Sequence, residues 1–150
     1  MITVRRTTPD DPAFRSLVAE LDADLLNRYG AKQQEYDVHN TALDGASVVI
    51  AMSQDSPVGC GCFKTFGQND TVELKRMYVQ PSARRLGVAR QLVAELERWA
   101  REKGYAKTNL QTAVKQPEAI ALYLKCGYRP MDNYGAYAGD ADSVCMEKHL

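Results

Sequence analysis

Apolar and polar positions follow two periods along the chain, and the shorter one predicts β-strands. Residues 2–6, 46–52 and 57–66 are short runs that read as strands, and 71–79 is a β-branched run that alternates apolar with polar residues. The polar turn SQDS lies between the second and third of these runs. Residues 46–79 are therefore predicted to form an antiparallel meander.

The longer period, with apolar residues three and four positions apart, first occurs near the N-terminus. It covers 12–28, where Asp11 is well placed to cap a helix and Pro12 to occupy its first turn. A weaker pattern of the same kind covers 32–40. We therefore predict one long amphipathic helix and, after it, a short second helix.

The strongest helical pattern lies in the second half of the chain. It begins at Val88, carries one apolar stripe and ends near Gly104, a residue suited to a helix C-terminus. Residues 106–112 read as a strand that pairs in parallel with the strand before the helix. Another helix follows over 116–126, and residues 143–148 supply a last strand.

Together these elements predict an α/β fold. The expected architecture is a mixed, mostly antiparallel central sheet of about six to seven strands, with helices on both faces. The chain has 150 residues, which suits a single domain spanning 1–150.

Charge and composition narrow the function. Nineteen basic and nineteen acidic residues balance, so a nucleic-acid partner is not expected. No apolar run has the length of a signal peptide or a membrane span, so we expect a cytoplasmic protein with no membrane partner. The four cysteines are expected to be buried thiols, and no metal site is expected. They are Cys60, Cys62, Cys126 and Cys145.

Two arginines and a glycine stand together where the strongest helix begins. The N–H groups at a helix start attract phosphate, Gly87 leaves the backbone open, and Arg84 and Arg85 add charge. Taken alone, so short a pattern favours an ordinary loop with solvated arginines. The chain contains neither a Walker A loop nor a dinucleotide-binding glycine motif.

The same residues resemble a known family. Arg84–Ala89 is similar to the acetyl-CoA signature R/Q-x-x-G-x-G/A of the GNAT superfamily of N-acetyltransferases. VELKRMYVQP resembles the fourth strand of that family, QPEAIALYLKCGYRPM its A-x-x-L-Y-x-x-x-G-F/Y segment, and SVCMEKHL its closing strand. The resemblance covers about 46–150, is vague over 1–45, and is best to small stand-alone bacterial members.

The resemblance implies acetyl-CoA as the cofactor, held where strands four and five splay apart. The pyrophosphate would lie on the backbone amides of 85–89, and the pantetheine arm along the fourth strand. Gln116 stands roughly where many members have a CoA-contacting asparagine. The cofactor-binding residues so implied are Met77, Tyr78, Val79, Arg84, Arg85, Leu86, Gly87, Val88, Ala89 and Gln116.

Two residues are candidates for acid–base chemistry. Tyr123 matches the tyrosine of the family's L-Y-x-x-x-G segment, so we interpret it as the acid that assists the leaving thiolate; a core tyrosine is the alternative. Glu73 falls where histone-acetylating relatives place their base. A surface pair with Lys75, or ordered water as the base, is the alternative. Strand alternation predicts that Glu73, Lys75 and Met77 share one face.

The acceptor is predicted only by class. We expect a primary amine of a small molecule, amino acid or peptide, with Tyr29, Tyr36, Tyr134 and Tyr137 in the regions where relatives build the acceptor pocket. The sequence is compatible with a homodimer. The rival hypotheses are a catalytically silent CoA-binding domain and an interaction domain without a cofactor.

Overall fold

The computed structural model describes residues 1–29, 43–67 and 70–150. The strands are β1 (Ile2–Thr7), β2 (Ser47–Ser53), β3 (Ser56–Thr65), β4 (Thr71–Val79), β5 (Lys107–Ala113), β6 (Arg129–Met131) and β7 (Ser143–His149). The α-helices are α1 (Pro12–Tyr29), α2 (Val88–Glu102) and α3 (Pro117–Lys125). The short helix predicted at 32–40 lies outside the described residues.

All seven strands form one sheet in the order β1-β2-β3-β4-β5-β7-β6. Every neighbouring pair is antiparallel except β4 and β5, which are parallel. The hairpin between β2 and β3 turns at Gln54 and Asp55, both with positive φ, as in a type I′ turn. The predicted mixed, mostly antiparallel sheet is confirmed.

β6 is the one strand of the described chain that the sequence pattern did not predict. It has three residues, Arg129, Pro130 and Met131, and pairs only with β7 at the edge of the sheet. So short a run has no readable period, and its proline argues against a strand. Its position beside β7 depends on tertiary pairing.

The sheet carries helices on both faces, as predicted. On one face, Phe14, Leu17 and Leu21 of α1 pack against Val48 and Ile50. On the other face, α2 and α3 cover a second apolar cluster that contains Leu92, Leu96, Leu110, Tyr123, Tyr128 and Met146. The apolar stripes of the helices therefore bury the two faces of the same sheet.

β4 and β5 pair over only part of their length. The parallel register runs from Thr71 opposite Lys107 to Leu74 opposite Leu110 and then stops. β4 nevertheless continues to Val79 alongside β3. The two central strands therefore diverge, and the gap between them opens towards the start of α2.

The remaining sequence expectations concern cysteines and membrane spans. Cys60, Cys62 and Cys145 are buried free thiols, as expected, while Cys126 is half-buried. Burial raises the pKa of Cys62 to about 12, so it stays a thiol. Within the described residues no group of potential ligands could hold a metal ion, and no helix is long and apolar enough to cross a membrane.

Candidate active site

A cleft of about 970 Å³ occupies the gap between the diverging ends of β4 and β5. It extends from the first turn of α2, past α3, to the inner side of α1. Nearly all the residues predicted from the sequence to form the site line this one cleft. They are Glu73, Met77, Tyr78, Val79, Arg84, Arg85, Gly87, Val88, Ala89, Gln116 and Tyr123.

Leu86 is the one predicted residue that does not line the cleft. The residue is 63% exposed, although Arg84 and Arg85 immediately before it both line the cleft. Only its backbone can therefore take part in a site at the start of α2.

The start of α2 has the features of an anion-binding turn. Gly87 is the N-cap at φ 78°, no side chain caps the helix, and its first turn contains no acidic residue. A Cβ added at Gly87 would meet nothing within 4 Å, so open space lies in front of the backbone. The first N–H groups of α2 are thus left for an anion.

Arginines surround this turn. Arg84 donates from Nε to the carbonyl oxygen of Val79 at 2.9 Å and lies 6.0 Å from the ring centroid of Tyr78. This contact fixes the loop against the end of β4. Arg85 and Arg90 also line the cleft and add positive charge to this end. Sequence reasoning missed Arg90, although its position three residues after Gly87 puts it on the same first turn.

The middle of β4 contains a β-bulge that changes which side chains share a face. The register of β3 and β4 shifts between Cys60 and Cys62, and Arg76 has φ 58°. One extra residue in a strand reverses the alternation beyond it. Met77 therefore packs on the α2 face, with its Sδ over Gly61, where an added Cβ would lie 2.3 Å away. The prediction that Met77 shares a face with Glu73 is wrong for this reason.

Glu73 is a buried carboxylate with defined partners. The Tyr134 hydroxyl donates to its Oε2 at 2.7 Å, and Lys75 Nζ lies 3.3 Å from its Oε1. The pairing of Glu73 with Lys75 given as the alternative is thus present, but it is not at the surface, because the two side chains are only 10% and 12% exposed. Burial and the negative charge of Glu73 raise the pKa of Tyr134, which keeps its proton.

Aromatic rings surround the Glu73 end of the cleft. The ring of Tyr134 lies 4.7 Å from that of Phe66 and 5.9 Å from that of Tyr137, centroid to centroid. Tyr137 is buried and lines the cleft. Tyr36 and the side chain of Tyr29 lie outside the described residues. The sequence pointed to the region of Tyr134 but not to its bond with Glu73.

Tyr123 lies in α3 with its side chain almost fully buried in the cleft wall. Burial raises its pKa strongly, so the phenol is protonated at neutral pH. Within the described part of the chain its hydroxyl makes no hydrogen bond, and its ring packs edge-on against Tyr128 at 5.8 Å. Gln116 is the N-cap of α3, although its side chain does not cap the helix.

Comparison with known proteins gives a consistent result. The family model described as "Acetyltransferase (GNAT) family" matches residues 14–128. The chain is 34% identical to an IAA acetyltransferase of Azospirillum brasilense over 99% of this chain and 98% of that protein. It is 29% identical to the uncharacterized N-acetyltransferase YjgM of Escherichia coli, over 92% and 87% of the two chains.

Solved structures share the fold. An acyl-CoA N-acyltransferase homologue from Klebsiella pneumoniae superposes with a TM-score of 0.82 and 31% identity, covering 100% of this chain and 98% of the other. A GNAT family acetyltransferase from Elizabethkingia anophelis, solved with acetyl-CoA bound, gives a TM-score of 0.73 at 19% identity, covering 99% and 98%.

Proposed function

Because the chain belongs to the GNAT family of acetyltransferases, we propose that it moves an acetyl group from acetyl-CoA directly to a primary amine. The acceptor is a small molecule, an amino acid or a peptide. The observation that carries this proposal is the cleft between β4 and β5. It has an anion-binding helix start at one end and buried acid–base groups at the other.

The residues at the α2 end fit the pyrophosphate of acetyl-CoA. Backbone N–H groups over 85–89 face open space at Gly87, and the absence of acidic residues from the first turn leaves the helix dipole uncompensated. Arg85 and Arg90 supply charge and donors to the same anion. Arg84 contributes mainly by holding this loop on Val79.

The unpaired side of β4 fits the pantetheine arm. From Lys75 to Val79 the strand pairs with β3 but, in the described structure, not with β5. Apart from the Val79 carbonyl, which accepts from Arg84, the backbone groups of Met77, Tyr78 and Val79 on that side are therefore offered to an extended ligand, as an edge strand offers them.

Acid–base roles fall to Tyr123 and Glu73. When bound, acetyl-CoA supplies a thioester whose carbonyl carbon an amine can attack. Tyr123 keeps its proton because burial raises its pKa, so its hydroxyl serves as a hydrogen-bond donor to the leaving sulfur. Glu73, with or without a bridging water, takes the proton from the acceptor; removing it from a free alkylammonium at pH 7 costs roughly 4–5 kcal/mol.

Calorimetric titration with acetyl-CoA tests the cofactor site. Gly87→Glu places a side chain and a negative charge at the start of α2, and should abolish binding. Gly104→Glu is the matched control: Gly104 also has positive φ and also faces open space, but it follows the C-terminal end of the same helix. It should bind acetyl-CoA normally.

The outcomes separate the hypotheses. Normal acetyl-CoA affinity in Gly87→Glu would place the cofactor elsewhere. If the wild type does not bind acetyl-CoA, the remaining hypothesis is an interaction domain without this cofactor. Binding without release of free CoA, across a panel of amines, amino acids and peptides, would instead support the catalytically silent CoA-binding domain.

A further inference from the structure

Arg76 is held in an unusual backbone conformation. It is the bulged residue of β4, with φ 58°, in the left-handed region that side-chain-bearing residues seldom adopt. Such a conformation is destabilising and, where it persists, often marks a functional position. Its side chain is only 5% exposed, yet it lines the cleft on the α1 side, beside Leu21 and Leu25.

The guanidinium of Arg76 is poorly satisfied for so buried a cation. It carries several N–H donors in a planar fork. Within the described residues it makes one hydrogen bond, from Nη2 to Oδ1 of Asp22 at 2.7 Å, and its Nε is fully buried without a partner. Asp22 is 41% exposed, so water screens its charge and leaves that of Arg76 incompletely balanced.

Anchoring of α1 to the sheet does not account for these features. Tyr78 and Gln80 of the β4 end already donate to Glu20 of α1, at 3.2 Å and at 3.1 Å respectively. A purely structural contact also gains nothing from a buried N–H that is left unpaired. The unused donors of Arg76 therefore indicate a ligand.

We propose that Arg76 binds a carboxylate of the acceptor, so that the substrates are amines that also carry a carboxylate, such as amino acids. The planar fork of arginine matches a carboxylate with two parallel hydrogen bonds. The CoA phosphates have their own arginines, Arg85 and Arg90, at the opposite end of the cleft. Glu73, three residues before Arg76 on β4, faces the acceptor amine.

This inference rests on the proposed acetyl transfer, and the experiment keeps the two separable. Wild-type protein saturated with CoA is titrated with amino acids and with the matching amines that lack the carboxylate, such as lysine against cadaverine. Binding is followed by calorimetry and by melting temperature. Turnover of the same compounds is followed by CoA release from acetyl-CoA. In at least one pair, the compound with the carboxylate should bind about 10- to 100-fold more tightly than its matched amine.

Two variants distinguish carboxylate binding from anchoring. Arg76→Asn removes the charge but keeps a residue that tolerates positive φ; it should lose the carboxylate preference while its acetyl-CoA affinity stays within threefold. Asp22→Asn breaks the same ion pair but keeps the guanidinium, so the preference should persist.

Three results would overturn the proposal. One is a wild type for which no carboxylate-bearing compound binds better than its matched amine. Another is a preference that survives in Arg76→Asn. The last is a loss of the carboxylate preference in Asp22→Asn that equals the loss in Arg76→Asn, which would make Arg76 an anchor for α1. Failure of the wild type to bind acetyl-CoA would instead overturn the proposed function itself.

Discussion

Tyr123 and Tyr128 are neighbouring buried tyrosines with different hydroxyl environments. The Tyr128 hydroxyl donates to Oε2 of Glu97 at 2.9 Å and accepts from Thr108 Oγ1 at 2.8 Å. The Tyr123 hydroxyl has no such partner within the described residues, and Tyr123 is one of the residues that line the cleft. A tyrosine kept only for the core normally has its hydroxyl satisfied, so this contrast favours a role in chemistry for Tyr123.

Tyr123→Phe should therefore affect turnover rather than stability. Loss of the donor is expected to lower the rate by roughly 10²- to 10⁴-fold, with acetyl-CoA affinity within a few-fold and the melting temperature almost unchanged. Steady-state kinetics with a turned-over acceptor, calorimetry and thermal melts measure the three quantities.

Tyr128→Phe is the matched control. It leaves Glu97 and Thr108 short of a buried hydrogen bond, so unfolding free energy should fall by about 2–4 kcal/mol while turnover of the folded enzyme persists. Near-normal turnover in Tyr123→Phe would remove Tyr123 as the acid without affecting the family assignment or the cofactor site.

The start of α1 shows how a helix end is stabilised by its neighbours. Oδ1 of Asp11 accepts the backbone N–H of Ala13 at 2.9 Å, as predicted for an N-cap. Its Oδ2 accepts from Arg5 and Thr7 of β1 at 2.6 and 2.9 Å. The hydrogen bond from Arg5 is the main reason that the pKa of Asp11 falls to about 2.

This lowered pKa predicts a specific acid sensitivity. A carboxyl with a depressed folded-state pKa stabilises the protein fully above its unfolded pKa near 4, and that stability is lost as pH falls towards 2. Asp11→Asn keeps a capping side chain without the charge. The advantage of the wild type over this variant should be largest above about pH 5 and shrink by about 2 kcal/mol towards pH 2. Urea unfolding at several pH values measures it, and a pH-independent difference would contradict the assignment.

Across the whole molecule, one buried polar network joins segments that are far apart in the chain. Glu97 of α2 accepts from Lys148 of β7 at 2.9 Å and from Tyr128. Lys148 also donates to the carbonyl oxygen of Cys126 at 2.7 Å, and Thr108 of β5 reaches Tyr128. The network thus links α2, the end of α3 and the neighbouring strands β5 and β7.

Removing both partners of such a pair should cost less than the two single removals added together. Lys148→Met leaves a buried carboxylate without its nearest cation, and we expect a loss of about 3 kcal/mol in unfolding free energy. Glu97→Gln should also destabilise. The double variant should lose at least about 1 kcal/mol less than the sum of the two. Strictly additive losses in urea unfolding would show that the two side chains are not coupled.

Much of the fold could be predicted because its signals are local. The α2 stripe, the Asp11 cap and the β2–β3 turn depend on residues within a few positions of one another, and the structure confirms each of them. The edge strand β6 could not be predicted, because three residues carry no period and only β7 makes them a strand.

For the site, the sequence determined the helix start with Arg84, Arg85 and Gly87, since the N–H groups, the charge and the missing side chain belong to one short segment. The sequence also contained a signal for the bulge that our predictions did not use. Lys75 and Arg76 are consecutive polar residues in an otherwise alternating strand, and one extra residue in a strand interrupts the alternation in this way.

Only the tertiary structure decided what surrounds the acceptor end of the cleft. The bulge turned Met77 to the α2 face, and chain folding brought Tyr134 to Glu73 across 61 positions and Asp22 to Arg76 across 54. Such contacts depend on which strands and helices lie side by side, and no local period of apolar and polar residues encodes that. The anion-binding end of the cleft could therefore be predicted from the sequence, whereas the partners of the buried charged groups became known only from the tertiary structure.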